Sequence, residues 1–424
     1  MFLILDLLSE LILTNIVKQE GKKMSKSALL TTILLLITQT LSSAEILNVP
    51  QEYTTIQEAV NNANEGDTVV VSPGTYQENL HFQSRNITLT STNPDDPDIV
   101  ASTIINGDDQ SSVVTFDSGE TSETVLTGFT ISGGYGTFIT VEEVGRHTIT
   151  GGGIYCINAS PTIKKNIITN NSNDSATRDA GAEGWGGGIG CLNSNAIITH
   201  NVIKNNYSFL GGGILTAMGN AVVTNNLIYD NSAVSGGGAL IVAGSLINNT
   251  IVNNYSSDSG GNVYLVSYQE FGYCTVLSNI ISYPRGTGSI FIESSLPQDR
   301  FEFNNICEGY ENIYAPVTKK KDIRGNIYMP TMMVNLEGND FRLLMDSPCI
   351  NAGDPNYSAQ SGDKDMYDNA RIVYGRVDIG AAEFSGNLRP VADAGDDQST
   401  DELPDFVSLD ASRSYDPDGN KNLS

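Results

Sequence analysis

Positive charge is scarce in this 424-residue chain: 23 Lys and Arg stand against 49 Asp and Glu, a net charge of −26. A nucleic-acid binder needs a basic footprint, so that class is excluded. Histidine is rarer still, at three residues, and the five cysteines (Cys156, Cys191, Cys274, Cys307 and Cys349) form no C-x-x-C pair. A zinc or redox centre is therefore not expected. An odd, sparse set of cysteines does not read as a disulfide framework, even in an exported protein. Tryptophan occurs once, and no ten-residue amphipathic helical pattern recurs. What the chain has in abundance is Gly, 42 residues, and Asn, 41. Both are poor helix formers, which excludes a helical bundle. Val, Ile, Leu and Phe are frequent enough to exclude wholesale disorder.

Residues 28–41 read ALLTTILLLITQTL, preceded by Met24-Ser25-Lys26 and followed by Ser42-Ser43-Ala44. A short basic start, a short apolar run and a small-x-small site describe a secretory signal peptide. The run is short and Thr-rich for a membrane span, so no stable insertion is expected once it is cleaved. Translation is read as starting at Met24, with residues 1–23 upstream of it; an uncleaved N-terminal anchor is the alternative.

Triple glycines recur at residues 151–153, 186–188, 211–213 and 236–238, with a degenerate copy at Gly260-Gly261-Asn262. A period near 25 residues marks a solenoid. Just behind the glycines lie GGGIYCINA, GGGIGCLNS, GGGILTAMG and GGGALIVAG. Ile154, Ile189, Ile214, Ala239 and Val263 share one slot; Cys156, Cys191, Thr216, Ile241 and Leu265 share the slot two residues on. Period two puts both slots on one face of a strand. A second block aligns Ile163, Ile198, Val223 and Leu246, then Asn166, Asn201, Asn226 and Asn249, then Ile168, Ile203, Ile228 and Ile251. Stacking such repeats in parallel, about 4.8 Å apart, makes inward aliphatic ladders and Asn stacks whose amides reach the backbone of the next turn. The pattern predicts a parallel β-helix of nine or ten coils, counted from the repeat length. Cys156 and Cys191 fall on adjacent coils, where a disulfide or a buried thiol ladder are the two readings, the latter better suited to parallel Cβ vectors. Upstream, Thr54 with Gln57 or Thr55 with Glu58 makes a capping box for a short helix ending at Gly66, which would cover the first coil.

The stretch VPQEYTTIQEAVNNANEGDTVVVSPGTYQENL (49–80) resembles the N-terminal cap and first coil of pectin-lyase-like right-handed β-helix proteins, and the repeats at 151–282 resemble their body. DSPCINAGDP (346–355) and GRVDIGAAEF (375–384) resemble the terminal, choice-of-anchor-like segment of secreted bacterial β-helix proteins. RPVADAGDDQSTDELPDFVSLDASRSYDPDGN (389–420) resembles the start of a PKD domain, an Ig-like sandwich. That last match stops at Ser424, short of half a sandwich of ~100 residues, and reads as truncated. The resemblance implies an all-β chain: a single-stranded right-handed parallel β-helix with an N-terminal capping helix and an incomplete Ig-like segment. Residues 1–44 are the signal region, 45–66 the N-terminal cap, 67–330 the β-helix, 331–386 a C-terminal capping or anchor-like segment and 387–424 the PKD-like piece.

Polygalacturonase-like relatives use Asn-Thr-Asp, Asp-Asp, Gly-His-Gly and Arg-x-Lys on successive coils, and none of these occurs here. Two irregular stretches interrupt the repeats instead: GYGTFITVEEVGRHTIT (134–150) and NSNDSATRDAGAEGW (171–185). They leave neighbouring coils at one corner and should meet. Glu143, Arg146, His147, Arg178 and Asp179 are the candidates for acid–base or electrostatic work, and Glu183 with Trp185 for holding and stacking a sugar ring. The competing reading is a pair of solvated surface loops. Tyr207, Tyr255 and Tyr264 are either a stacking row or edge packing. Asp363, Asp365 and Asp368 could supply oxygen ligands to calcium. The expected function is an exported polysaccharide-binding or adhesive module, with a polysaccharide lyase or glycoside hydrolase as the alternative and an activity lying beyond Ser424 as a third. N-terminal sequencing of exported protein should begin at Glu45; an uncleaved cytoplasmic product would refute the signal peptide.

Overall fold

The structure is a computed structural model that describes residues 44–142, 145–173, 182–307, 313–315, 325–388 and 412–414. The signal region up to Ser43 and most of the PKD-like stretch lie outside the described residues.

One coil shows the plan. Ile197–Thr199, Val202–Lys204, Tyr207–Leu210 and Ile214–Ala217 are four short strands. Each pairs in parallel with its counterpart in the next coil: Ile197 with Val222, Val202 with Leu227, Tyr207 with Ser232 and Ile214 with Ala239. Repetition builds four sheets, here numbered I to IV in that order, of ten, eight, seven and nine strands. This is a parallel β-helix. The first strand of sheet I, Ile46–Val49, pairs with Thr68–Val71, so stacking begins before the N-terminal helix and not after it.

The repeat slots face inward as their period requires. Ile168 lies over Ile203 and Ile203 over Ile228, all fully buried. Cys156 and Cys191 are in register as buried free thiols, so the thiol ladder is the arrangement present. The glycine triplets have two separate causes. Gly186, Gly211 and Gly236 turn with φ of 68°, 66° and 69°, a region strained for any side chain. The two that follow are squeezed between coils: a Cβ on Gly188 would lie 2.6 Å from the Gly213 carbonyl oxygen.

Two asparagine ladders run through the stack. In the first, Asn226 donates from Nδ2 to the carbonyls of Ile198 and Thr224 at 2.8 and 2.9 Å and to Asn249 Oδ1 at 3.0 Å. Its own Oδ1 accepts from the backbone and side-chain nitrogens of Asn201 at 2.9 and 3.0 Å. The chain of amides continues to Asn279, Asn304 and Asn326. The second ladder joins Asn171, Asn206, Asn231, Asn254 and Asn262 in the same way. Within the ladders each interior amide is thereby satisfied by its neighbours above and below.

Helix α1 (Ile56–Asn62) packs Ile56, Ala59 and Val60 into the core of the first coils. Thr55 is the N-cap and accepts from the Glu58 amide. The return half of the capping box goes one residue further, from Glu58 to the Thr54 N–H. Glu78 completes the cap, accepting from the Ile56 and Gln57 amides at 2.8 Å each. The helix stops at Ala63, ahead of the expected Gly66, which makes the following turn with φ 84°.

Residues 331–388 lie along the outer face of sheet II. Phe341, Leu343, Cys349 and Ile379 pack on Leu227, Tyr229, Val252 and Ile280. Within this segment Arg371 is buried and sits 3.3 Å from Glu383, itself buried, while its Nη2 donates to the Gly380 carbonyl at 2.6 Å. Burial outweighs Arg371 and pushes the Glu383 carboxyl up to about 9 and Asp378 to about 6.

Two outcomes follow. Asn226→Ala would take the acceptor from the buried Asn201 N–H and a donor from the buried Ile198 carbonyl, and an orphaned buried group costs about 1–3 kcal/mol. A loss of stability of about 2 kcal/mol or more is expected in urea titration; a midpoint like the parent's would show that the ladder is decorative. Glu383 keeps its proton in the folded state up to about 9, whereas in the unfolded chain it ionises near 4.5. Its favourable contribution is full below 4.5 and is lost as the pH rises to about 9. Glu383→Gln should therefore flatten the decline of the denaturation midpoint across that window, and an equally steep decline would contradict the assignment.

Candidate functional site

The inward slots on sheet IV leave the alternate residues facing out. In most solenoid positions these would be polar; here Leu192, Leu215, Leu240, Ala217 and Val242 form an apolar strip on the outside of the barrel. Two structures rise beside it. One is a hairpin, Thr137–Val141 paired antiparallel with Arg146–Thr150, whose second strand adds in parallel to Glu183–Trp185. The first irregular stretch is thus not a loop but the start of sheet III, built by the β-branched alternation in TFITV and RHTIT. The other is the turn 267–273, where Tyr268 and Phe271 meet edge to face at 5.8 Å.

Between these walls lies a groove of about 620 Å³, lined among others by Val141, Arg146, Trp185, Tyr264, Phe271 and Glu293. A second hollow of about 330 Å³ shares Val141, Met218 and Phe271 with it and extends past Leu192 to Asn158. The floor from Leu192 to Glu293 crosses four coil steps, about 19 Å along the stack. Tyr264 stacks on Phe291 at 5.0 Å, and Phe291 on the exposed Tyr314 at 4.8 Å. The Tyr264 hydroxyl donates to Glu293 at 2.5 Å, and burial together with that carboxylate raises its pKa and keeps the phenol neutral.

The two irregular stretches do meet. Arg146 Nη1 pairs with Glu183 Oε1 at 2.6 Å, and the Trp185 indole N–H donates to Glu183 Oε2 at 3.4 Å. Asn173 ties them down, donating to the carbonyls of Ile149 and Trp185 at 2.9 and 3.0 Å. Trp185 itself is only 9% exposed and packs with Val141 and Leu215. It is a wall of the groove and not the open stacking platform expected. His147 is exposed on the hairpin, bonded to Thr140 at 3.0 Å and stacked on Phe138; it does not line the groove. Glu143, Arg178 and Asp179 lie outside the described residues. Tyr207 and Tyr255 stand exposed on sheet III, apart from Tyr264 on sheet IV, so the three tyrosines form no single row.

The three aspartates expected to hold calcium are not brought together. Asp365 is buried and accepts from the amides of Tyr367, Asn369 and Glu383 and from the Asn369 side chain. Asp368 faces Lys165 at 3.7 Å, and Asp363 accepts from the Gln360 amide at 2.8 Å. Among the described residues no three His, Cys, Asp or Glu side chains are grouped to hold a metal. Asp365 is the hub of a turn.

No protein-family model matches the chain, and no curated protein matches it. Among solved structures it is similar to pectate lyase Pel9A, with 14% identity, 82% of this chain and 98% of that chain covered, and a TM-score of 0.44. It is also similar to a pectin methylesterase mutant in complex with a hexasaccharide, at 12% identity, 63% and 71% coverage and a TM-score of 0.29. A third is a rice weevil pectin methyl esterase, at 14% identity, 67% and 84% coverage and a TM-score of 0.27. None is similar enough to carry a reaction or a substrate over to this chain.

Proposed function

We propose that this chain is an exported binding module that holds a polysaccharide along the outside of its β-helix. The observation that carries the reading is the groove on sheet IV: long, apolar, with Tyr264 in its floor, Trp185 and Phe271 in its walls, and Arg146 and Glu293 at its polar positions. Aromatic and aliphatic surface suits the faces of sugar rings, and a few polar groups at the rim fix their hydroxyls. A trough running across successive coils suits an extended polymer better than a compact ligand. Export rests on the signal pattern at Met24 to Ala44. A lyase or hydrolase needs an acid or base within reach of the bound sugar; Glu293 is held by the Tyr264 hydroxyl and Glu183 by Arg146. A binding role is the simpler use of this surface.

The test is a glycan array followed by affinity electrophoresis with the parent, Tyr264→Ala and Phe271→Ala. Loss of one ring should weaken binding about tenfold, as stacking contributes up to about 1.5 kcal/mol. Unaltered affinity in both variants would move the site elsewhere. Release of shortened or unsaturated oligosaccharides by the parent would replace this reading with an enzymatic one.

A further inference from the structure

We infer that the polymer taken by this groove is uncharged, and that its chain lies parallel to the axis of the stack; the inference rests on the groove being the binding surface. The charges present decide the class. Arg146, the cation lining the larger hollow, is already held at 2.6 Å by Glu183, which in turn accepts from the Trp185 indole. A sugar carboxylate would have to displace that partner. Among the described residues, the other charged groups lining the two hollows are acidic. Glu293 stands at one end of the trough, and Glu270 lines the adjoining hollow from the turn 267–273. They lie on a chain whose net charge is −26. A polyuronate threaded between them would meet like charge at both positions, and like charges juxtaposed across an interface oppose binding strongly. For a neutral sugar the same groups are assets. The Glu293 carboxylate, oriented by the Tyr264 hydroxyl at 2.5 Å, accepts from sugar hydroxyls, and the neutral phenol beside it supplies a ring face.

The direction follows from the walls. Hairpin residues Ile139 to Val141 and turn residues Glu270 and Phe271 both line the hollows, while one outward row of the floor continues from coil to coil through Gly190, Leu215, Leu240 and Tyr264, with Leu192 and Ala217 in the row beside it. Open ends therefore lie along the stack, and the repeat of about 4.8 Å per coil presents equivalent side chains in sequence to a periodic ligand.

The experiment measures binding of neutral hexamers (cello-, manno- and xylohexaose) and acidic hexamers (oligogalacturonate and oligomannuronate) by calorimetry. It uses the parent, Tyr264→Ala and the double variant Glu270→Gln with Glu293→Gln, in calcium chloride and in EDTA. At least one neutral hexamer should bind the parent, with no dependence on calcium and about tenfold loss in Tyr264→Ala. The double variant should gain several-fold in affinity for the acidic hexamers, since it removes the charges that repel them. Acidic hexamers binding the parent more tightly than all neutral ones, through Tyr264, would overturn the neutral class and leave the groove standing. So would a double variant with no gain for acidic hexamers. Binding indifferent to Tyr264→Ala, or no binding by any hexamer, would remove the groove itself as the site and this inference with it.

Discussion

The stacked amides of the two asparagine ladders set the terms for everything else in this molecule. Each Asn must find an acceptor in the coil above and donors in the coil below, so the corners it occupies cannot drift. The segments between corners can. Successive members of the first ladder are 35, 25, 23, 30 and 25 residues apart, yet their geometry is the same. Extra residues are taken up where no ladder passes, as at 267–273 between sheets IV and I. The register is restored at the next Asn. The walls of the groove are thus built in the parts of the repeat that the ladders leave unconstrained, and they stand on a floor that the ladders hold straight.

The inward half of the fold was legible because it is periodic. Ile168, Ile203 and Ile228 could be placed on one stack from spacing alone, as could Asn201 and Asn226. The second ladder was equally visible in the doublets Asn170-Asn171, Asn205-Asn206 and Asn253-Asn254, yet only one Asn of each repeat was assigned a structural duty. The outward half was harder. Leu215, Leu240 and Tyr264 lie one residue after the inward slot, and apolar residues there were the signal of a covered or binding face. Trp185 sits among charged neighbours in sequence, and those neighbours suggested exposure. Its burial comes from tertiary packing by Val141 on the hairpin, which no local pattern announces. The aspartates at 363–368 have ligand-like spacing, but whether a carboxylate binds an ion depends on which amides have already claimed it, and Asp365 has four such bonds.

Sheets II and IV make an instructive pair. Both carry apolar residues on their outer faces, and burying such area stabilises a protein at about 25 cal/mol per Å². Sheet II is covered by residues 331–388, which fasten to it through Thr250 and Ser278 and carry the Arg371–Glu383 pair within their own fold. Among the described residues sheet IV is flanked by the hairpin and the turn 267–273; Leu192, Leu215 and Leu240 are buried beneath them, and Met218, Val242 and Tyr264 are the half-exposed part of the strip. A half-exposed apolar hollow with polar residues at its rim marks a place where a ligand or partner docks.

The equivalence of the coils has a consequence for how such a surface changes over generations. Because Asn206 and Asn231 present the same bonds to their neighbours, a whole coil can be duplicated or lost at the level of the gene and the ladders will close again over the join. Floor length is then inherited in whole-coil increments, each adding an outward pair such as Leu215 with Ala217 or Leu240 with Val242 to the trough. A lineage could lengthen or shorten its grip on a polymer by recombination between repeats that share their Gly and Asn positions, with no need to redesign the walls at either side.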